Sequence, residues 1–182
     1  MENKITLEHI HTFSIPLSEH PGKWKFISEK EQLSNEYKDQ IVALNPKASS
    51  FLREFKNSQK YLSSTINIAK YFNEVTYFSK TNTTNQNVKK WLYEKGIPFN
   101  QKVFCFIENN WGFLLTWKML IKFSDSLFGG SEVYSWDKTS NWCLIYDHED
   151  VFCFGKNLNY NSEKHSQELK KIEEMINKTG TS

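Results

Sequence analysis

The second half of the chain alternates short apolar runs with polar breaks. The runs KVFCFIE, EVYSWD, NWCLIYD and VFCFG all lie between residues 102 and 155. Apolar runs of about four to eight residues that are rich in aromatic and β-branched side chains predict strands, and short polar connections predict antiparallel neighbours. We therefore expect residues of about 100–156 to form a β meander, interrupted by a helical segment in TWKMLIKF.

The first half shows mainly helical spacing. Ser34 can cap a helix whose apolar face includes Ile41 and Leu44, and Asn45-Pro46 ends that helix and starts another. Apolar positions at helical intervals continue at Phe51, Leu52, Phe55, Leu62, Ile66, Ala69, Phe72 and Val75, and again at Val88, Trp91 and Leu92. These intervals predict a helical region over about 34–96.

Together these elements predict an α+β protein that forms a single domain over residues 1–182. Ser162 begins a predicted C-terminal helix over about 162–178. Helices and sheets bury their apolar faces against each other in layers, so we expect the helices to pack on an antiparallel sheet of about four to five strands.

Composition argues against several classes of protein. The formal net charge is +2, which gives no bulk attraction to nucleic acid or to an anionic membrane. No apolar run approaches the ~18–20 residues of a membrane span, and MENKITLEHIHTF lacks the pattern of a secretory signal. We expect a cytoplasmic protein. The three cysteines, Cys105, Cys143 and Cys153, lie in apolar runs and are expected to be buried thiols.

Four ionisable residues follow one another in NWCLIYDHEDVFCFG: Asp147, His148, Glu149 and Asp150. Carboxylates and imidazole are suitable metal ligands. Adjacent side chains of a strand point to opposite faces, however, so four consecutive residues do not converge on one ion. A hairpin turn is the first interpretation, a partner-binding loop the second, and a catalytic or metal site the third.

Two other motifs carry less information. His9 and His11 would share one face of a strand and could hold zinc only with a further ligand. Cys143 or Cys153 could pair with His148 as a nucleophile, but apolar surroundings raise the pKa of a thiol. We therefore expect no catalytic residue, no metal and no cofactor.

Several short motifs resemble a family of small uncharacterised bacterial proteins. The motifs are IPLSEHPGKWKF near the start, the Trp-Leu pair of KKWLYEKGIPF, the helix TWKMLIKF and the late aromatic-Gly of VFCFG. The resemblance implies a bacterial, cytosolic, single-domain protein and transfers no catalytic residue. Residues of about 100–155 also resemble the sheet region of immunity proteins that neutralise the toxins of contact-dependent or type VI systems, including the Smi1-related family.

These observations predict a non-enzymatic protein that binds another protein, namely an immunity protein bound to a cognate toxin domain. Exposed Trp side chains anchor interfaces well, and an acidic loop can cover a basic active site. Two alternatives remain open: an enzyme of unrecognised type, and a module that binds nucleic acid or a small ligand. The residues predicted to contact the partner are Asp147, His148, Glu149, Asp150, Trp111 and Trp136.

Overall fold

In a computed structural model that describes residues 4–27, 33–62 and 65–158, the described strands form one antiparallel sheet. Eight strands belong to it within that part of the chain. They are β1 (Ser14–Ile15), β2 (Ile41–Leu44), β3 (Phe72–Ser79), β4 (Lys102–Ile107), β5 (Trp111–Thr116), β6 (Val133–Trp136), β7 (Trp142–Tyr146) and β8 (Val151–Leu158).

The helices are short, and several connections are single 3-10 turns. Over the described residues the α-helices are α1 (Asn35–Lys38), α2 (Pro46–Ser58), α3 (Asn85–Tyr93), α4 (Trp117–Lys122) and α5 (Ser124–Leu127). The 3-10 turns are Ile10–Phe13, Leu17–Glu19, Lys23–Lys25, Lys60–Leu62 and Thr65–Lys70. Three helices begin at a side-chain cap, because Asn45, Thr84 and Thr116 each accept a hydrogen bond from the backbone N–H three residues on.

The strand order is β1-β2-β5-β4-β6-β7-β8-β3. The meander β6-β7-β8 therefore lies beside β4 and β5, as neighbouring runs along the chain would suggest. The two strands from the first half lie far apart in the sheet: β2 pairs with β5 through Ala43 and Phe113, whereas β3 pairs with β8 through Tyr77 and Cys153. The α+β class is confirmed, but a sheet of four to five strands is wrong.

The strand count was low because Ile41–Leu44 and Phe72–Ser79 were interpreted as helix, and because Trp111–Thr116 was not recognised as a strand. Ile41–Leu44 is a strand, although its apolar residues also fit the helical spacing of Tyr37, Ile41 and Leu44. Beyond α2, the predicted third helix is replaced by the 3-10 turns and by the edge strand β3. The helical region expected over 34–96 is therefore wrong at 41–44 and 72–79. The C-terminal helix expected over 162–178 lies outside the described residues.

Both faces of the sheet are covered, so the central strands are apolar on both sides. Helices α3, α4 and α5 cover one face with residues such as Leu92 and Leu127. Helix α2 covers the other face with Leu52, joined by Ile10 and Ile68. A strand buried on both faces loses the alternation of apolar and polar residues, which explains the continuous apolar runs in the sequence.

The three cysteines lie in these central strands, buried and free of disulfides. Burial raises the pKa of Cys105 to about 12 and that of Cys153 to about 12. The prediction of buried thiols is confirmed. In the described part of the chain, no helix is both long and apolar enough to cross a membrane.

Candidate functional site

Three carboxylates lie side by side at one end of the sheet. Val133 of β6 is the register partner of Ile107 on β4 and of Tyr146 on β7. The next residue towards this end of the sheet is acidic on each strand: Glu108 follows Ile107, Glu132 precedes Val133 and Asp147 follows Tyr146. The Glu108 N–H donates to the Glu132 carbonyl at 3.1 Å. Side chains alternate along a strand, so these three carboxylates share the sheet face that α2 covers.

The β7–β8 hairpin adds two more carboxylates to this end. The Asp147 side chain accepts hydrogen bonds from the backbone N–H groups of Glu149 and Val151, at 3.0 and 3.3 Å. Asp150 has φ 60°, in the left-handed region that closes a tight turn. Its carboxylate also accepts the Tyr146 hydroxyl. The hairpin-turn interpretation is confirmed, and we call Glu108, Glu132, Asp147, Glu149 and Asp150 the acidic end.

His148 is held over the acidic end by Glu132. Its Nδ1 lies 2.8 Å from Glu132 Oε1, while the Tyr134 hydroxyl donates to Glu132 Oε2 at 2.6 Å. The hydrogen bond with Glu132 raises the pKa of His148, whose side chain is 76% exposed. Partial burial acts to raise the pKa of Glu132, but the bonds from Tyr134 and His148 outweigh it and hold that pKa below its usual value.

Lys56 of α2 approaches the same carboxylates from above the sheet. Its ammonium lies 4.0 Å from the centre of the Tyr134 ring, and the side chain is buried. Burial lowers the pKa of Lys56, against the opposing effect of Glu108 and Glu132. Burial also raises the pKa of Tyr134, and so do the charges of all three in-register carboxylates. Glu108, Glu132 and Asp147 therefore all act on the pKa of the same tyrosine.

The two predicted tryptophans have different environments. Trp111 begins β5 opposite Ile107, so it lies at the same end of the sheet as the carboxylates. It is half-buried, on the opposite face, and packs edge-to-face against the exposed Trp24 with ring centres 6.3 Å apart. Trp136 is fully buried and stacks on Phe55. A buried side chain cannot contact a partner, so Trp136 is not part of the surface.

The structure locates each of the other candidate sites that the sequence suggested. Within residues 4–27, 33–62 and 65–158, no group of three or more His, Cys, Asp or Glu side chains is placed to hold a metal ion. In the described part of the chain, none of Asp147–Asp150 lines the clefts at Phe26, Phe104 and Pro46. His9 precedes the 3-10 turn Ile10–Phe13 and His11 lies within it, so the two do not share a strand face. Burial raises the pKa of Cys143, so it is no thiolate partner for His148.

Sequence reasoning did not identify Glu108, Glu132, Tyr134 and Lys56. A signal was present, because KVFCFIE ends, EVYSWD begins and NWCLIYD ends with an acidic residue. Adjacent antiparallel strands run in opposite directions, so the end of one strand lies beside the beginning of the next. That signal becomes a site only when β4 is known to neighbour β6.

Comparison with known protein families, with curated proteins and with solved structures gave no match for this chain. The likeness of residues of about 100–155 to immunity proteins therefore stays a prediction.

Proposed function

We propose that the acidic end binds a positively charged surface of another protein, and that this chain acts without catalysis as a cytoplasmic immunity protein for a cognate toxin domain. One observation carries the proposal. Glu108, Glu132 and Asp147 lie next to one another at the ends of three adjacent strands, and Glu149 and Asp150 add further negative charge there. A positively charged surface would be attracted to this concentration of carboxylates.

The construction of the acidic end supports protein binding. The carboxylates stand on paired strands and on a hydrogen-bonded hairpin, so little ordering is needed when a partner docks. Charge complementarity accelerates association and rejects wrong partners. A toxin that cuts nucleic acid has a basic active site, and an acidic surface of this kind can cover it.

The experiment compares two double variants that each remove two exposed carboxylates. Glu108→Gln with Glu149→Gln changes the acidic end, whereas Glu19→Gln with Glu94→Gln makes the same change of net charge elsewhere. Each is co-expressed with the product of the adjacent gene in growing cells, and affinity is measured on the purified pair. We expect the wild type and the control to protect the cells, and the first variant to bind about tenfold more weakly.

Two results would contradict the proposal. If cells die equally with and without the wild-type chain, the adjacent product is not its target and the immunity function is wrong. If the wild type protects and both double variants protect equally, binding occurs but the acidic end is not the interface.

A further inference from the structure

We propose that the opposite end of the same sheet face carries a second site, which binds a small organic anion with a flat apolar body. This site is a cleft of about 580 Å³, called here the basic cleft. Its floor is Phe104 and Leu114, Leu7 forms a wall, and its rim carries His11, Lys102 and Lys138. The proposal is independent of the acidic end, which lies at the other end of β4.

The floor of the basic cleft is fixed by strand register. Phe104 of β4 and Leu114 of β5 are direct partners, and both belong to the apolar cluster on the α2 side of the sheet. Each is almost wholly buried, so the cleft has a rigid apolar base. Phe104 and Leu114 are only 3% and 7% exposed, so a flat hydrocarbon group lying on this base would chiefly remove its own apolar surface from water.

The same ladder brings two lysines together at the rim. Lys102 stands two residues before Phe104, and Lys138 two residues after Trp136, while Phe104 and Trp136 are register partners. Both lysines line the cleft, Lys102 from the start of β4 and Lys138 from the turn that follows β6. Within the described part of the chain, neither lysine has a carboxylate at ion-pair distance. An anion at the rim is therefore attracted by two ammonium groups that hold no ion pair with a described carboxylate.

The remaining rim defines the class of ligand. The exposed His11 adds a third group that can carry positive charge, and the Asn100 and Gln101 side chains supply amides for hydrogen bonding. Glu8 is the one carboxylate of the lining, so positive groups outnumber it. The volume falls in the ~300–1,000 Å³ range typical of small-molecule sites. An anionic group at the lysines and an apolar ring on Phe104 and Leu114 would fill the cleft.

The test uses two chemically different organic anions, 8-anilinonaphthalene-1-sulfonate followed by fluorescence and adenosine monophosphate followed by amide chemical shifts. The full chain is compared with Lys102→Glu/Lys138→Glu and with Lys89→Glu/Lys90→Glu, which makes the same charge change on exposed positions of α3. We expect at least one probe to bind the full chain saturably. Its affinity should fall by about tenfold or more in Lys102→Glu/Lys138→Glu and stay unchanged in Lys89→Glu/Lys90→Glu. Shifts should centre on Gln101, Lys102, Leu114 and Lys138.

Circular dichroism confirms that each variant is folded before binding is compared. The proposal is wrong if neither probe binds the wild type saturably, or if both double variants bind equally well. It is also wrong if a short oligothymidylate binds in a lysine-dependent way while neither small anion does, because the cleft would then serve a nucleic-acid strand. None of these outcomes depends on the toxin, so a failure here would not contradict the proposal that the acidic end binds a protein partner.

Discussion

At the residue scale, His20 shows how burial determines charge in this protein. The ring is 2% exposed and lies against Phe113, with ring centres 4.4 Å apart. Its Nδ1 accepts a hydrogen bond from the Gly22 N–H at 3.0 Å, which requires that nitrogen to be unprotonated. Burial lowers the pKa of His20 to about 4.

A Cβ on Gly22 would lie 2.9 Å from the Trp111 ring, so only glycine lets this turn pack there.

His20 should make the protein less stable as the pH falls. The unfolded chain binds a proton at His20 near the ordinary histidine pKa of 6.5, whereas the folded chain binds it only near about 4. Between those values the unfolded state holds more protons, so the free energy of unfolding decreases as the pH is lowered from 6.5 towards 4. Urea unfolding across this range measures the slope.

The variant His20→Asn isolates the titration of this residue. Asparagine Oδ1 can accept the Gly22 N–H in place of Nδ1 but takes up no proton. We expect the variant to show a shallower loss of stability over the same pH range. An equal slope in wild type and variant would mean that other groups control the acid sensitivity.

At the element scale, the two edges of the sheet differ. Strand β1 has two residues and is followed by Pro16, which makes it a poor template for further pairing. Strand β3 has eight residues, and Tyr77 on it is 53% exposed. The Lys80 N–H donates to the Asp150 carbonyl at 2.7 Å. Lys80 and Asp150 are therefore a hydrogen-bonded pair, and in an antiparallel ladder every second pair is hydrogen-bonded. Thr76, four residues before Lys80, thus forms backbone hydrogen bonds with β8, whereas the N–H of Tyr77 points away from β8.

Proline substitutions in β3 should therefore have unequal effects. Thr76→Pro removes an N–H that bonds β8, whereas Tyr77→Pro removes one that points away from the sheet. We expect the first variant to lose about 1–2 kcal/mol more in the free energy of unfolding than the second. Urea denaturation of the two proteins measures the difference. Equal losses would show that the outer N–H of Tyr77 also has a partner.

At the scale of the whole molecule, the net charge is small although negative and positive side chains are concentrated at opposite ends of one sheet face. The formal net charge is +2, yet the α2 side of the sheet carries Glu108, Glu132 and Asp147 at one end and Lys102 and Lys138 at the other. Positive and negative partners could therefore bind one face at opposite ends. The charge of the whole chain does not describe either surface.

The sheet also joins the two halves of the chain, which predicts cooperative unfolding. Strand β2 lies against β5, and β3 lies against β8, so each half supplies neighbours to the other. We expect urea transitions followed by tryptophan fluorescence and by far-ultraviolet circular dichroism to coincide, as for a single two-state unit. Separate transitions would contradict the single-domain prediction for residues 1–182.

The local features of this protein can be predicted from short stretches of its sequence. Asn45 followed by Pro46 predicted the start of α2, because the side chain satisfies a free N–H at the helix end and proline suits the first turn. Asp147–Asp150 predicted the β7–β8 turn, and the apolar run from Trp142 to Tyr146 predicted a strand. Each of these depends on interactions within a few residues, so the information is present in a short stretch.

The order of the strands in the sheet, and with it the position of the candidate sites, depends on long-range packing. The short run Ile41–Leu44 fits a helix face and a buried strand equally well, and its pairing with β5 is what makes it β2. The acidic end depends on β6 lying between β4 and β7. The burial of Trp136 depends on α2 covering that face. These contacts join residues far apart along the chain, and the free energy of burying both faces of the sheet selects them.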